Sequence, residues 1–256
     1  MPTPPHPAAA SEDLPRMSLL EHLEELRKRL IYSLIAVTVA FGACWYYIRE
    51  IFDFIQRPIL DAMPPGKKLA IFGIPDAFML YFKVGALTAL FVAAPFVLYQ
   101  VWLFVAPGLY RRERVWAGVF VLAGTLFFLA GGLFAYYVAS PYAIQFLLDM
   151  GKDFEQVIAV DRYLGFEMTI ILGMGLMFEL PILIFTLSQL GVVTPQFLIK
   201  HFRWAVLIIF IVAAIVTPTP DVVNLCVMAF PALGLYIVGV AAAWIAQRAR
   251  RKREAV

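Results

Sequence analysis

The sequence predicts an all-α integral membrane protein with six transmembrane helices, and three observations carry that prediction. Of 256 residues, 62% are hydrophobic and only 15% are charged, and the mean hydropathy is +0.81, far more apolar than a soluble domain of this size. The apolar residues collect in runs long enough to cross a hydrocarbon layer of roughly 30 Å. Most of the Lys and Arg fall in alternate connections, the bias that orients a chain crossing a bilayer repeatedly.

The first element is S-L-L-E-H-L-E-E-L-R-K-R-L, Ser18 to Leu30. Ser18 and Glu21 form a capping box, and Leu19, Leu23, Leu26 and Leu30 make one apolar stripe. Acids Glu21, Glu24 and Glu25 precede bases Arg27, Lys28 and Arg29, as the helix dipole favours. The uncharged run Leu30 to Ile48 follows without a break, so a carboxylate-bearing helix enters the membrane directly.

The connection Arg49 to Asp76 mixes both charges with several prolines and holds a short amphipathic helix over Ile51 to Leu60. The second apolar run, Ala77 to Val105, carries Lys83 near its start and Pro95 near its middle and is longer than a bilayer needs, which predicts tilt, a kink at Pro95, or a protruding first turn with Lys83 snorkelling. P-G-L-Y-R-R-E-R, Pro107 to Arg114, is a basic loop around Glu113. The third span is Val115 to Ser140, where Gly131 and Gly132 permit close helix approach. Pro141 to Asp161 reads as an acidic loop.

The fourth span, Tyr163 to Leu190, contains Glu167 near its start and Glu179 well inside, followed by Pro181. Thr194 and Pro195 read as a helix cap and first turn. The fifth span, Trp204 to Val216, covers only about 20 Å of helix. T-P-T-P-D, Thr217 to Asp221, turns into a sixth run, Val222 to Ala246, broken by Pro231, and a basic tail ends the chain. The organisation expected is therefore a flexible cytoplasmic tail over 1–17, a membrane domain over 18–246 and a basic cytoplasmic tail over 247–256. The first residues lack the basic and apolar regions of a signal peptide.

Two sets of carboxylates stand out. Glu25 and Glu113 come from separate cytoplasmic segments; each either pairs within its own segment, Glu25 with Arg29, or converges on a cationic ligand, for which an arginine has the best geometry. Glu179 is expensive in a bilayer and is a functional residue by default, and Pro181 leaves the Met177 carbonyl without its helical donor. Lys83 and Glu167 read as interfacial anchors, and Asp221 as the cap of the last helix. Cys44 and Cys226 lie in apolar runs as packing residues. The three histidines form no metal or nucleophile constellation. The residues call for no cofactor, no metal, no nucleic acid and no enzymatic activity.

These motifs together resemble one family. H-L-E-E-L-R-K-R-L at His22 to Leu30, P-F-V-L-Y-Q-V-W-L-F-V-A-P-G-L-Y followed by R-R-E-R at Pro95 to Arg114, L-F-A-Y-Y-V at Leu133 to Val138, F-E-L-P at Phe178 to Pro181 and T-P-T-P-D are similar to those of TatC, the receptor subunit of the twin-arginine translocase. The resemblance implies a curved, cup-like bundle in the bacterial inner membrane with both termini cytoplasmic. It implies binding of twin-arginine signal peptides on folded cargo, partnership with TatA, TatB and other TatC copies, and export driven by the proton motive force. It places signal-peptide binding at Glu25, Arg27, Phe104 and Glu113, an intramembrane polar role at Glu179, and outer-face contacts at Pro58 and Asp221. The T-P-T-P-D turn is one residue longer than the family's T-P-P-D form, and Leu225 stands where a polar residue is expected. The rival from another class is a proton-coupled small-solute transporter with Glu179 as proton carrier, which predicts an internal repeat that the sequence lacks.

Overall fold

The computed structural model describes residues 19–64, 66–105 and 117–254. Helix α1 (Leu19–Tyr46) runs 28 residues without interruption, so the charged segment and the first span are one rod. Two short helices follow, α2 (Ile48–Ile55) and α3 (Arg57–Ala62), where the periodicity predicts one. Pro58 causes the division, because it has no N–H for the ladder and is tolerated only in a first turn.

Helix α4 (Asp76–Val105) keeps Pro95 inside it and packs antiparallel on α1. Their seam is built from Ala40, Cys44, Ala89 and Ala93. Gly85 lets the Phe41 ring approach, since a Cβ at that glycine would lie 3.0 Å from it.

The expected loop after Ser140 is corrected by the structure. Helix α5 (Ala117–Phe134) passes through a π-helical turn, Ala135–Ala139, into α6 (Ser140–Met150). The Ser140 amide donates to the Ala135 carbonyl five residues back. That wider turn directly precedes Pro141, whose ring would press on the preceding turn of a regular helix. The third span therefore reaches Met150.

Helices α7 (Val160–Phe178) and α8 (Leu180–Gln189) form the fourth span, interrupted at Glu179. The Glu179 amide closes a tight bond to the Leu176 carbonyl at 3.1 Å, and the ladder restarts with the Leu183 amide on the Glu179 carbonyl at 2.9 Å. Half of this span is buried, against 11% of the first, which makes it the central member. Helix α9 (Pro195–Lys200) begins as expected, with Thr194 Oγ1 accepting from the Phe197 amide. Helix α10 (Phe202–Val216) is the short span, 15 residues or about 22 Å. Helix α11 (Val222–Glu254) is continuous through Pro231, where the sequence suggests a break, and on through the basic segment to Glu254.

Among the described residues five helical spans are thus long and apolar enough to cross a membrane, and α10 is a shorter apolar helix. They pack as a row: α1 on α4, α4 on α5, α5 on α7, α8 on α11, and α10 on α11. Small residues set the spacing at its centre. A Cβ at Gly131 would lie 2.6 Å from the Met174 carbonyl oxygen and 2.9 Å from the Gly175 Cα, so α5 and α7 touch backbone to backbone.

Candidate functional site

Where α1 meets the last turns of α4, side chains from the two helices interlock. His22 stacks on Phe104 with ring centroids 4.4 Å apart and planes 23° apart. One turn further along α1, Glu25 Oε1 accepts from Arg29 Nη2 at 3.0 Å. Arg29 Nη1 donates in turn to Gln100 Oε1 at 3.3 Å. Gln100 lies one turn before Phe104 on α4 and is only 4% exposed. The spacing explains the pattern, since His22, Glu25 and Arg29 share one face of α1, and Gln100 and Phe104 one face of α4.

The intrasegment pairing of Glu25 with Arg29 is thereby realised, but it is incomplete. The side chains are 16% and 22% exposed for Glu25 and Arg29. Glu25 Oε2 and Arg29 Nε are buried with no hydrogen-bond partner among the described residues. A carboxylate accepts at both oxygens and a guanidinium donates from five N–H groups, so this pair is monodentate and leaves acceptor capacity open.

Of the other predicted residues, Phe104 joins the cluster and Arg27 does not. Arg27 is exposed, and two residues' separation turns it away from Glu25. Glu113 lies outside the described residues, as do Ser18 and the arginines of the 106–116 segment. His22 and Gln100 are participants that sequence reasoning passed over. The available signal was Gln100, a lone amide in an apolar run at helical spacing from Phe104.

Glu179 sits apart, at the α7–α8 break. Its carboxylate lies over Gly124 of α5, where an added Cβ would be 3.3 Å from Oε2 and 3.6 Å from Oε1. Oε1 is buried and makes no hydrogen bond among the described residues. An unpartnered carboxylate oxygen inside a span is an acceptor awaiting a proton, water or ligand.

Glu167 is corrected from an interfacial anchor to a core residue: it is 0% exposed, and Ser140 Oγ donates to its Oε2. The cause is neighbourhood, because the third span continues through the π turn and covers the start of α7. Lys83 is exposed in the second turn of α4. Pro58 is half-buried in the first turn of α3. Asp221 caps α11 as expected: its Oδ1 accepts from the Asn224 amide at 2.7 Å and its Oδ2 from Asn224 Nδ2 at 2.8 Å. No group of His, Cys, Asp and Glu suited to a metal occurs among the described residues.

Comparison with known proteins gives one answer. The family model TatC, Sec-independent protein translocase protein, matches residues 21–231. The chain is 43% identical over 251 residues to the Sec-independent protein translocase protein TatC of Koribacter versatilis, covering 96% of this chain and 93% of that one. It is 38% identical over 237 residues to the TatC of Helicobacter pylori strain J99, covering 92% of each. The crystal structure of the twin arginine translocase receptor TatC matches with a TM-score of 0.77 at 32% identity, over 89% of this chain and 100% of that chain. The chain belongs to the TatC family of Sec-independent protein translocase proteins.

Proposed function

We propose that this chain is the receptor subunit of a twin-arginine translocase, which binds the arginine pair of a signal peptide at the α1–α4 end of the row. The solved relative is named as that receptor. The observation that carries the site assignment is Glu25: half-buried, presented between two helices, with no hydrogen-bond partner for Oε2 among the described residues. A guanidinium is the cation whose planar fork suits that oxygen pair, and Lys, a single point charge, suits it less. Glu113 supplies the second carboxylate in this reading, with Phe104 as apolar neighbour and Arg27 at the rim.

The placement that goes with this reading is the inner membrane of a bacterium. Both termini are cytoplasmic, because the basic connections lie at the end that holds Glu25. The working partners are TatA, TatB and further TatC copies, with Pro58 and Asp221 at the opposite face and Glu179 serving inside the membrane.

The test is binding of labelled signal peptides, Arg-Arg and Lys-Lys forms, to the purified chain and to its Glu25→Ala and Glu113→Ala variants. Preferential binding of Arg-Arg, erased by each substitution, is the expected result. Equal binding of both peptides, or variants that bind like the parent, would refute the assignment.

A further inference from the structure

Glu25 in this structure is not an empty receptacle. Its Oε1 is already held by a guanidinium, that of Arg29, one turn along the same helix. The arrangement is weaker than a full fork-to-fork pair in three ways. Among the described residues only one carboxylate oxygen is engaged, Arg29 Nε is left without a partner, and the second guanidinium bond goes to the neutral Gln100 at 3.3 Å. Gln100 is almost wholly buried, so it anchors Arg29 from the α4 side and fixes where the resident guanidinium sits.

We infer that Arg29 is a resident competitor for Glu25 that sets the selectivity of the site, with Gln100 as the residue that positions it. This inference rests on the reading of Glu25 as an arginine-receiving carboxylate. An incoming cation meets a carboxylate already neutralised by Arg29, so it is held weakly unless it displaces that guanidinium. A ligand guanidinium engages both oxygens at once and outmatches the single resident bond. A ligand ammonium offers no planar fork and does not. Discrimination thus comes from the occupant that must be displaced as well as from the bonds the ligand forms, specificity by an opposing interaction. Gln100 then receives the released Arg29, which keeps one of its donors satisfied.

The sign of one variant decides between competition and support. With Arg29→Gln, binding of both peptides tightens and the Lys-Lys form improves more, so the Arg-over-Lys ratio falls by roughly two- to fivefold, the scale of a partly exposed ion pair. Gln100→Leu shifts the ratio the same way by less. Arg29→Lys, which keeps the charge and guards against misfolding, gives an intermediate ratio. If Arg29→Gln instead weakens both peptides equally, Arg29 merely supports Glu25 and the competitor role is overturned. Glu25→Ala, run alongside, separates the two levels. If it leaves peptide binding unchanged, the receptor assignment of Glu25 fails and takes this inference with it. If it abolishes the preference while Arg29→Gln leaves the ratio intact, only the competitor role fails.

Discussion

The Tyr136 hydroxyl donates to the Phe54 carbonyl at 2.6 Å, the oxygen to which residue 58 would donate in an unbroken helix. Residue 58 is proline, so a side chain from the π turn supplies what the α2–α3 backbone lacks. Tyr163 of α7 does the same for the adjacent Ile55 carbonyl at 3.0 Å. Two hydroxyls from two spans therefore hold the division between α2 and α3. Tyr136→Phe and Tyr163→Phe should each lower stability by about 1 to 3 kcal/mol, the cost of a buried acceptor left open. Reversible denaturation in mixed micelles would measure it, and a loss below the experimental error for both would remove this role.

The glycines of α5 form a graded series. A Cβ at Gly131 strikes backbone of α7, one at Gly124 meets Leu98 Cδ1 at 3.2 Å, and one at Gly118 meets nothing within 4 Å. Alanine at Gly131 should cost about 1 to 3 kcal/mol or more, at Gly124 less, and at Gly118 nothing measurable. Thermal stability of the three purified variants checks the order, and a different ranking contradicts the backbone contact.

Glu167 and Ser140 should behave as a buried pair. Ser140→Ala removes a donor from the buried carboxyl and should cost about 1 to 3 kcal/mol. Glu167→Ala also opens a cavity and should cost more than Glu167→Gln, which keeps the volume and an acceptor for Ser140. Denaturation of the three variants measures the order. Because the pair lies far along the fold from the α1–α4 end, peptide selectivity should stay unchanged in all of them.

Glu179 should show the reverse pattern. Its Oε1 has no partner among the described residues, so Glu179→Gln and Glu179→Leu remove a costly group without breaking a hydrogen bond that the fold relies on. Stability should change by less than about 1 kcal/mol or improve, as is common when an unpaired buried polar group is removed. Export of a folded cargo by cells carrying the variant would then report function alone; a strongly destabilised variant would show that the carboxylate has a structural partner.

Asp221→Ala removes both cap bonds to Asn224 and should cost about 0.5 to 2 kcal/mol. Asp221→Asn keeps one acceptor and should fall between. Equal stability of all three forms would show that the cap is replaced by water.

The spans were legible because hydropathy and length are properties of a segment alone. Asp221 and Thr194 were legible as caps for the same reason, since a cap needs only its own next turn. What escaped reading depends on which segments become neighbours. Glu167 reads as interfacial from its place in its own run, and becomes a core residue only because α6 continues past Pro141. Gln100 and Arg29 are separated by 71 positions, and nothing local announces their bond. The Glu25–Arg29 pair was readable from i, i+4 spacing, whereas its incompleteness depends on how α4 shields it.

The interruption at Glu179 has a mechanical consequence. On one side of it α7 is bound to α5, and on the other α8 is bound to α11. The most deeply buried span is therefore an articulated strut joining two leaves, one bearing the Glu25 cluster and the other the short α10. A tilt of one leaf against the other needs rotation about the residues around Glu179 and sliding where α7 also touches α10 and α11, and the Glu179 carboxylate would ride at the pivot.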